Sequence, residues 1–279
     1  MKSTIRAAAI QMVSSPDCAE NLETAERLIA EAASSRAEFV SLPEYFCQLS
    51  SDASAKLRIA EDKGAGPIQD MLGSAARRHG IWLVGGSIPL KTADPKRVTN
   101  TTLMFGPDGE CVARYDKCNL FSISSAEVTH DENLTMIGGD ELVAVNLPWG
   151  RVGLGICYDV RFPRFFERLG EVDVVVLPSA FTFPTGAAHW ELLIRTRAVD
   201  NQCFLLASAQ GGLHKSGRRT WGHTMAVDPW GRVLGTIDEG EGVLTVDIDL
   251  SEVGRVRSTL PVVRDRAIND NLKGVKSDA

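Results

Sequence analysis

RVGLGICYDVRFP, residues 151–163, reads as an apolar strand from Arg151 to Ile156 that stops at Cys157, immediately before a short helix-like run. Two more segments, Val172 to Pro178 and Cys203 to Ala209, are also nearly continuous apolar runs. Strands of that kind are covered on both faces, which places this half of the chain in an α/β architecture. A thiol at a strand-to-helix turn lies beside backbone N–H groups that can stabilise a thiolate and a developing oxyanion. Cys157 is therefore the nucleophile candidate. The competing reading is a core cysteine, because free Cys is among the most buried residue types and packs as a small hydrophobe.

Two other strand ends carry chemistry. Glu44 follows Phe39-Val40-Ser41-Leu42 through Pro43, and Lys117 closes the segment Val112 to Asp116. Ligands in α/β folds sit beyond the carboxyl ends of strands, so an acid, an ammonium and a thiol at three such ends can converge. Glu44 would then be the general base, Lys117 would hold charge, and Cys157 would attack. Each also has a bland reading, as a surface acid and a solvated lysine. The apolar neighbours of Glu44, Leu42-Pro43 and Tyr45-Phe46, would raise its pKa and suit it to proton transfer.

Outward from these points the chain alternates strand and helix. Thr4 to Met12 is an extended apolar run, and Asp17 with Glu20 three residues on has the form of a capping box. Leu22, Ala25, Leu28, Ile29 and Ala32 then recur at helical spacing. The polar stretch Gln48 to Ala65 reads as a helical excursion near the pocket. Pro67 and Gly80 bracket a second helix, and Ile81 to Ser87 supply a further strand. Gly106-Pro107-Asp108-Gly109 turns one hairpin and Asp228-Pro229-Trp230-Gly231 a second, one in each half. The spacing thus predicts two mixed sheets with helices outside them. A helix from Ala187 to Asn201 would pack Trp190, Leu193, Ile194 and Ala198, with His189 and Trp190 organising it against the sheet. No Gly/Ser-rich or Pro-rich linker divides the chain, so one domain is expected over residues 1–279.

Composition narrows the function classes. A formal charge of −6 gives no electrostatic case for nucleic acid or an anionic membrane. No apolar run approaches the ~20 residues that span a bilayer. MKSTIRAAAIQM reads as a first strand rather than a signal peptide. The six cysteines lack CxxC or Cys/His metal spacing, which predicts neither disulfides nor structural zinc and suggests a reduced, cytoplasmic setting.

Taken in order, these motifs resemble the carbon–nitrogen hydrolase (nitrilase) superfamily. LPEYF (42–46), YDKCNLF (115–121) and GICYDVRFP (155–163) match its Glu-Lys-Cys triad. The match continues through PSAFTFPTGAAHWELLIRTRAVDNQ (178–202), WGHTMAVDPWG (221–231) and DIDL (247–250). The resemblance implies a four-layer α-β-β-α sandwich and a catalytic set of Glu44, Lys117 and Cys157. It also singles out Glu132, one of several acids in HDENLTMIGGD, to position Lys117 and the substrate amide; His130 beside it reads as a loop histidine. The backbone N–H of Tyr158 would join Lys117 in an oxyanion hole. Arg161, four residues past the nucleophile, would share its face if the segment is helical and could bind a substrate carboxylate in two-bond fashion. Tyr45, Phe181 and Thr185 would wall the pocket, and Cys118 would be structural. The chain departs from the family where His and Asp often follow the lysine and Asn119 and Ser122 stand here.

The function so implied is amide hydrolysis through a thioester, without metal or organic cofactor. The substrate would be a small carboxylate-bearing ω-amide, cleaved to a free acid or ammonia. Deaminated glutathione leads, because the Ala209-Gln210 and Asp228–Gly231 segments look like that subgroup, and α-ketoglutaramate is the alternative. A homodimer or higher homo-oligomer is also implied.

Overall fold

The structure, a computed structural model, describes residues 3–124 and 129–269; residues 1–2, 125–128 and 270–279 of the expected 1–279 domain lie outside the described residues. The first half runs β1 (Thr4–Gln11), α1 (Cys18–Ser34), β2 (Phe39–Ser41), α2 (Ala55–Arg58), α3 (Pro67–His79), β3 (Trp82–Val84), β4 (Ile88–Lys91), β5 (Val98–Phe105), β6 (Cys111–Asp116), β7 (Ser122–Ser124) and β8 (Thr129–Asp131). The second runs β9 (Val143–Leu147), β10 (Gly150–Leu154), α4 (Pro163–Leu169), β11 (Val174–Val176), α5 (Phe183–Asn201), β12 (Phe204–Ala207), β13 (Gly211–Leu213), β14 (Arg219–Trp221), β15 (Thr224–Val227), β16 (Val233–Ile237), β17 (Gly242–Asp249), α6 (Ser251–Thr259) and α7 (Val262–Asn269).

Two mixed sheets result, ordered β17-β1-β2-β3-β5-β4, with β6 also on β5, and β16-β15-β12-β11-β10-β9. Each has three parallel strands at its centre, β1, β2 and β3 in one and β10, β11 and β12 in the other. Period-two alternation sorts side chains between layers. Ile5, Ala7, Ala9 and Phe39 share one core with Val152, Leu154, Val174 and Phe204 of the second sheet. Ala8, Ile10, Val40 and Leu83 join Ala25, Leu28 and Ile29 of α1 and Leu72 of α3 in another. Each strand of the first sheet thus faces a sheet on one side and helices on the other. With α4 and α5 on the outer side of the second sheet, the order is α-β-β-α, as the resemblance implied.

The local signals mostly hold. Asp17 accepts from the Glu20 amide at 3.2 Å, capping α1. The reciprocal half of the box does not form: the Asp17 amide donates to Ser15, and Glu20 takes Ser15 and Lys215 instead. Gly80 ends α3 at φ +63, a left-handed conformation that a Cβ disfavours. Both Pro-containing turns join hairpins, β5–β6 and β15–β16. The 48–65 excursion holds only one helical turn, α2, because its Ser and Asp side chains bond their own backbone and compete with helix. No helix among the described residues is long and apolar enough to cross a membrane.

Candidate active site

Glu44 stands three residues past β2, and Cys157 three past β10, so each sheet sends one group from the end of a central parallel strand. Lys117 follows β6 directly. The Glu44 turn is tight: Tyr45 has φ +56, and its amide donates to Ser87 Oγ at 3.0 Å. Gly86 packs under this turn so closely that a Cβ there would lie 2.2 Å from the Pro43 carbonyl. Cys157 has φ +46, a conformation that costs a non-glycine residue on the order of 1–3 kcal/mol and tends to mark functional turns. Its amide donates to Pro178 O at 2.9 Å, and the chain continues as a 3-10 turn to Arg161.

The charged groups meet out of solvent. Lys117 Nζ lies 2.8 Å from Glu44 Oε1 and 3.1 and 3.0 Å from the two oxygens of Glu132. All three side chains are 2% exposed or less. Glu132, opening a 3-10 turn, also accepts from the Phe121 amide at 2.7 Å and from the Tyr45 hydroxyl. Asn100 Nδ2 donates to Glu44 Oε1 at 2.9 Å. The Cys157 thiol is near enough to the Glu44 carboxylate for each to act on the other's ionisation.

Burial pushes the Glu44 carboxyl above its ordinary value, and the Glu132 charge adds to this while Lys117 opposes it. Burial acts the same way on Glu132, but Lys117, the Phe121 amide and the Tyr45 hydroxyl outweigh it and hold that acid below its ordinary value. For Lys117 burial would lower the pKa, yet the two carboxylates keep it well above the usual lysine value. Burial and the Glu44 charge drive the Cys157 thiol up, so its resting form is neutral. The arrangement is a cation and an anion, Lys117 and Glu132, beside a second acid of raised pKa, Glu44, and a protonated thiol.

Two cavities lie beside this cluster, the inner one reaching Cys157 and the outer one bounded by Tyr45, next to Glu44. A narrow inner one of about 10 Å³, room for about one water, is bounded by Cys157, Tyr158, Arg161, Phe181, Thr182 and Thr185. A wider outer one of about 500 Å³ is bounded by Tyr45, Lys56, His130, Thr182 and Arg218, among others. Four of the five expected binding residues, Tyr158, Arg161, Phe181 and Thr185, thus border the inner cavity, and Tyr45 walls the outer one. The Arg161 guanidinium donates to His189 Nδ1 at 3.3 and 3.4 Å and lies 5.2 Å over the Phe181 ring. His189 is exposed and meets Arg161, whereas Trp190 does pack, donating to the His223 carbonyl at 2.7 Å. The Cys118 thiol makes weak contacts to backbone carbonyls, and its amide donates to the Tyr115 hydroxyl at 3.0 Å.

The chain matches the sequence model of the Carbon-nitrogen hydrolase family over residues 6–258. This chain belongs to that family. It is 36% identical over 277 residues to a deaminated glutathione amidase of Yersinia enterocolitica, covering 98% of this chain and 96% of that one. It is 38% identical over 269 residues to the omega-amidase NIT2 of Homo sapiens, covering 95% of each. The crystal structure of the C. elegans NitFhit protein superposes with a TM-score of 0.85 at 35% identity, covering 94% of this chain; the chain spans 65% of that longer protein. The protein is a hydrolase acting on non-peptide carbon–nitrogen bonds, an amidase of the nitrilase superfamily.

In this carbon–nitrogen hydrolase several supporting residues escaped the sequence reading. Asp159 is fully buried and accepts from the Ile156 amide (2.8 Å), the Tyr115 hydroxyl (2.6 Å), the Asn119 amide (3.1 Å) and Asn119 Nδ2 (2.8 Å). It ties the turn carrying Cys157 to the segment after Lys117. Asn119, a departure from the family pattern, therefore serves this tie, while Ser122 is exposed in β7. Gln210 Nε2 holds the Glu44 carbonyl at 3.2 Å. Asn100 carried one available signal, an amide inside an otherwise β-like run.

Proposed function

We propose that this hydrolase cleaves an ω-amide of a carboxylate-bearing substrate through a Cys157 thioester. Deaminated glutathione is the leading substrate and α-ketoglutaramate the second. The observation that carries this reading is the Lys117 ammonium held 2.8 Å from Glu44 and 3.0 Å from Glu132, with Cys157 presented at φ +46 where the Glu44 charge bears on its thiol. A thiol that starts neutral needs a base at the moment of attack, and a raised carboxyl pKa brings the base nearer to operating pH.

Glu44 takes the thiol proton as sulfur bonds to the amide carbonyl carbon. The carbonyl electron pair moves to oxygen, where Lys117 Nζ and the Tyr158 N–H stabilise it. When the oxyanion collapses the C–N bond breaks, and Glu44 delivers its proton to the departing amine. Water, deprotonated by Glu44, then attacks the thioester; the C–S bond breaks and sulfur recovers the proton. Glu132 acts by positioning Lys117, and Arg161 reads the carboxylate on the acyl portion. All six cysteines are free thiols, which supports a reducing, cytoplasmic setting.

The test is product release by wild type and Cys157→Ala, with cysteinylglycine measured from deaminated glutathione and ammonia from α-ketoglutaramate. Wild type should release at least one product and Cys157→Ala neither, with its unfolding transition retained. Turnover by Cys157→Ala within tenfold of wild type would remove Cys157 from the mechanism.

A further inference from the structure

The outer cavity is far larger than a departing ammonia requires, and its walls carry cations. Lys56 and Arg218 both border it and both are half-buried. Neither has a carboxylate within ion-pair distance among the described residues: Lys56 Nζ reaches Thr135 Oγ1 at 3.3 Å, and Arg218 reaches only the Ser50 carbonyl at 3.5 Å. The other charged groups on this wall are already paired. Asp52 is held by Arg58 at 2.9 Å, and Arg219 by Glu239 at 2.8 Å. His130 is pushed down to about 4, first by burial and then by the Arg218 charge, and is neutral near pH 7. Burial, against the opposing charge of Glu132, brings Lys56 down to about 8, with Arg218 and Lys117 adding to the fall.

The position of this chamber relative to the chemistry matters as much as its charge. On the reading above, the leaving amine departs toward the acid that protonates it. Glu44 is followed at once by Tyr45, whose ring walls the outer cavity and whose hydroxyl is bonded to Glu132. Thr182 borders both cavities, so the two chambers adjoin. Arg161, the cation of the inner chamber, stands by the acyl portion. The outer chamber is then on the side of the leaving amine, with a second pair of cations of its own.

We propose that Lys56 and Arg218 form a subsite for a carboxylate carried by the leaving amine, so that the preferred substrate is a secondary amide acidic at both ends rather than a primary ω-amide. This rests on the amidase reading above and deepens it. Within the two substrates considered, it selects deaminated glutathione, whose leaving group is a dipeptide ending in a carboxylate, over α-ketoglutaramate, whose leaving group is ammonia.

The experiment compares kcat/KM for deaminated glutathione with that for its glycine carboxamide, which differs only in the distal charge. Wild type should favour the acid by about tenfold or more, the scale of a charge-assisted hydrogen bond. In Arg218→Gln and in Lys56→Met the ratio should fall toward one. A wild-type ratio near one, or a ratio unmoved in both variants, would overturn the subsite while leaving amide hydrolysis intact. The same pair is also titrated calorimetrically into Cys157→Ala protein, with and without Arg218→Gln. If wild type turns over neither compound, the amidase reading fails. The ratio of dissociation constants then decides the subsite alone, supporting it if Arg218→Gln abolishes the preference for the acid and refuting it otherwise.

Discussion

Asp159→Asn tests how the proposed nucleophile, Cys157, is held. The carboxylate has two oxygens and four donors: Oδ1 takes the Asn119 amide and Asn119 Nδ2, while Oδ2 takes the Ile156 amide and the Tyr115 hydroxyl. An asparagine of the same shape offers one oxygen and one NH2. If the NH2 replaces Oδ2, the Tyr115 hydroxyl can rotate to accept from it, but the Ile156 N–H is left without a partner. If it replaces Oδ1, both Asn119 donors meet a donor. One to two donors are stranded either way, at roughly 1–3 kcal/mol each, so the loss should be about 1–6 kcal/mol by urea unfolding. The stranded groups flank Cys157, at its positive φ, and the segment leaving Lys117. The variant should therefore also lose kcat by a decade or more, with KM less affected. Asp159→Glu should not rescue it, because the added methylene displaces the four-way junction. Wild-type stability and kcat in Asp159→Asn would refute the role assigned to this acid.

Lys117→Met removes the proposed oxyanion donor and leaves Glu44 and Glu132 buried without their cation. Turnover should fall by about two to three decades, and stability by about 3–5 kcal/mol; normal turnover would contradict the proposed hole. His214 is buried between the Ser14 carbonyl and Thr220 Oγ1, and burial holds its pKa down at about 4. The unfolded chain takes up that proton first, near pH 6.5, so the contribution of His214 is complete above that pH and is lost as pH falls toward 4. The size is up to about 3 kcal/mol. Chemical denaturation across this window should show the loss, and His214→Gln should shrink it; an unchanged slope would show that other groups carry the effect.

The division between what was legible in the chain and what was not follows the range of the interactions. The α3 bracket at Pro67 and Gly80 and both hairpin turns are local and appear where the residues place them; the apolar runs mark the strands but overrun them, as in β3 (Trp82–Val84) and β11 (Val174–Val176), and α5 begins at Phe183, four residues before the expected Ala187. The two-sheet arrangement was legible because hairpins of like design occur in each half. The convergence of Glu44, Lys117 and Cys157 was suggested by three strand ends and made specific only by family resemblance. Glu20 shows the limit of local reading: the Asp17 amide goes to Ser15, and the Glu20 carboxylate is taken by Ser15 and by Lys215, 195 residues away. Asp159 lay inside the stretch read first, yet no spacing reveals that Tyr115 and Asn119 would converge on it. The outer cavity depends on Lys56 and Arg218, which are distant in sequence and unremarkable singly.

The central claim is a thioester on Cys157, and partitioning tests it most directly. Deaminated glutathione and α-ketoglutaramate carry the same acyl group and differ only in the leaving amine, so a covalent mechanism takes both through one intermediate. With hydroxylamine present during turnover, the ratio of hydroxamate to free acid should be identical for the two substrates at every hydroxylamine concentration. Ratios that differ with the leaving amine, or acid formed with no hydroxamate at all, would mean that water attacks the amide directly and that Cys157 is not the nucleophile.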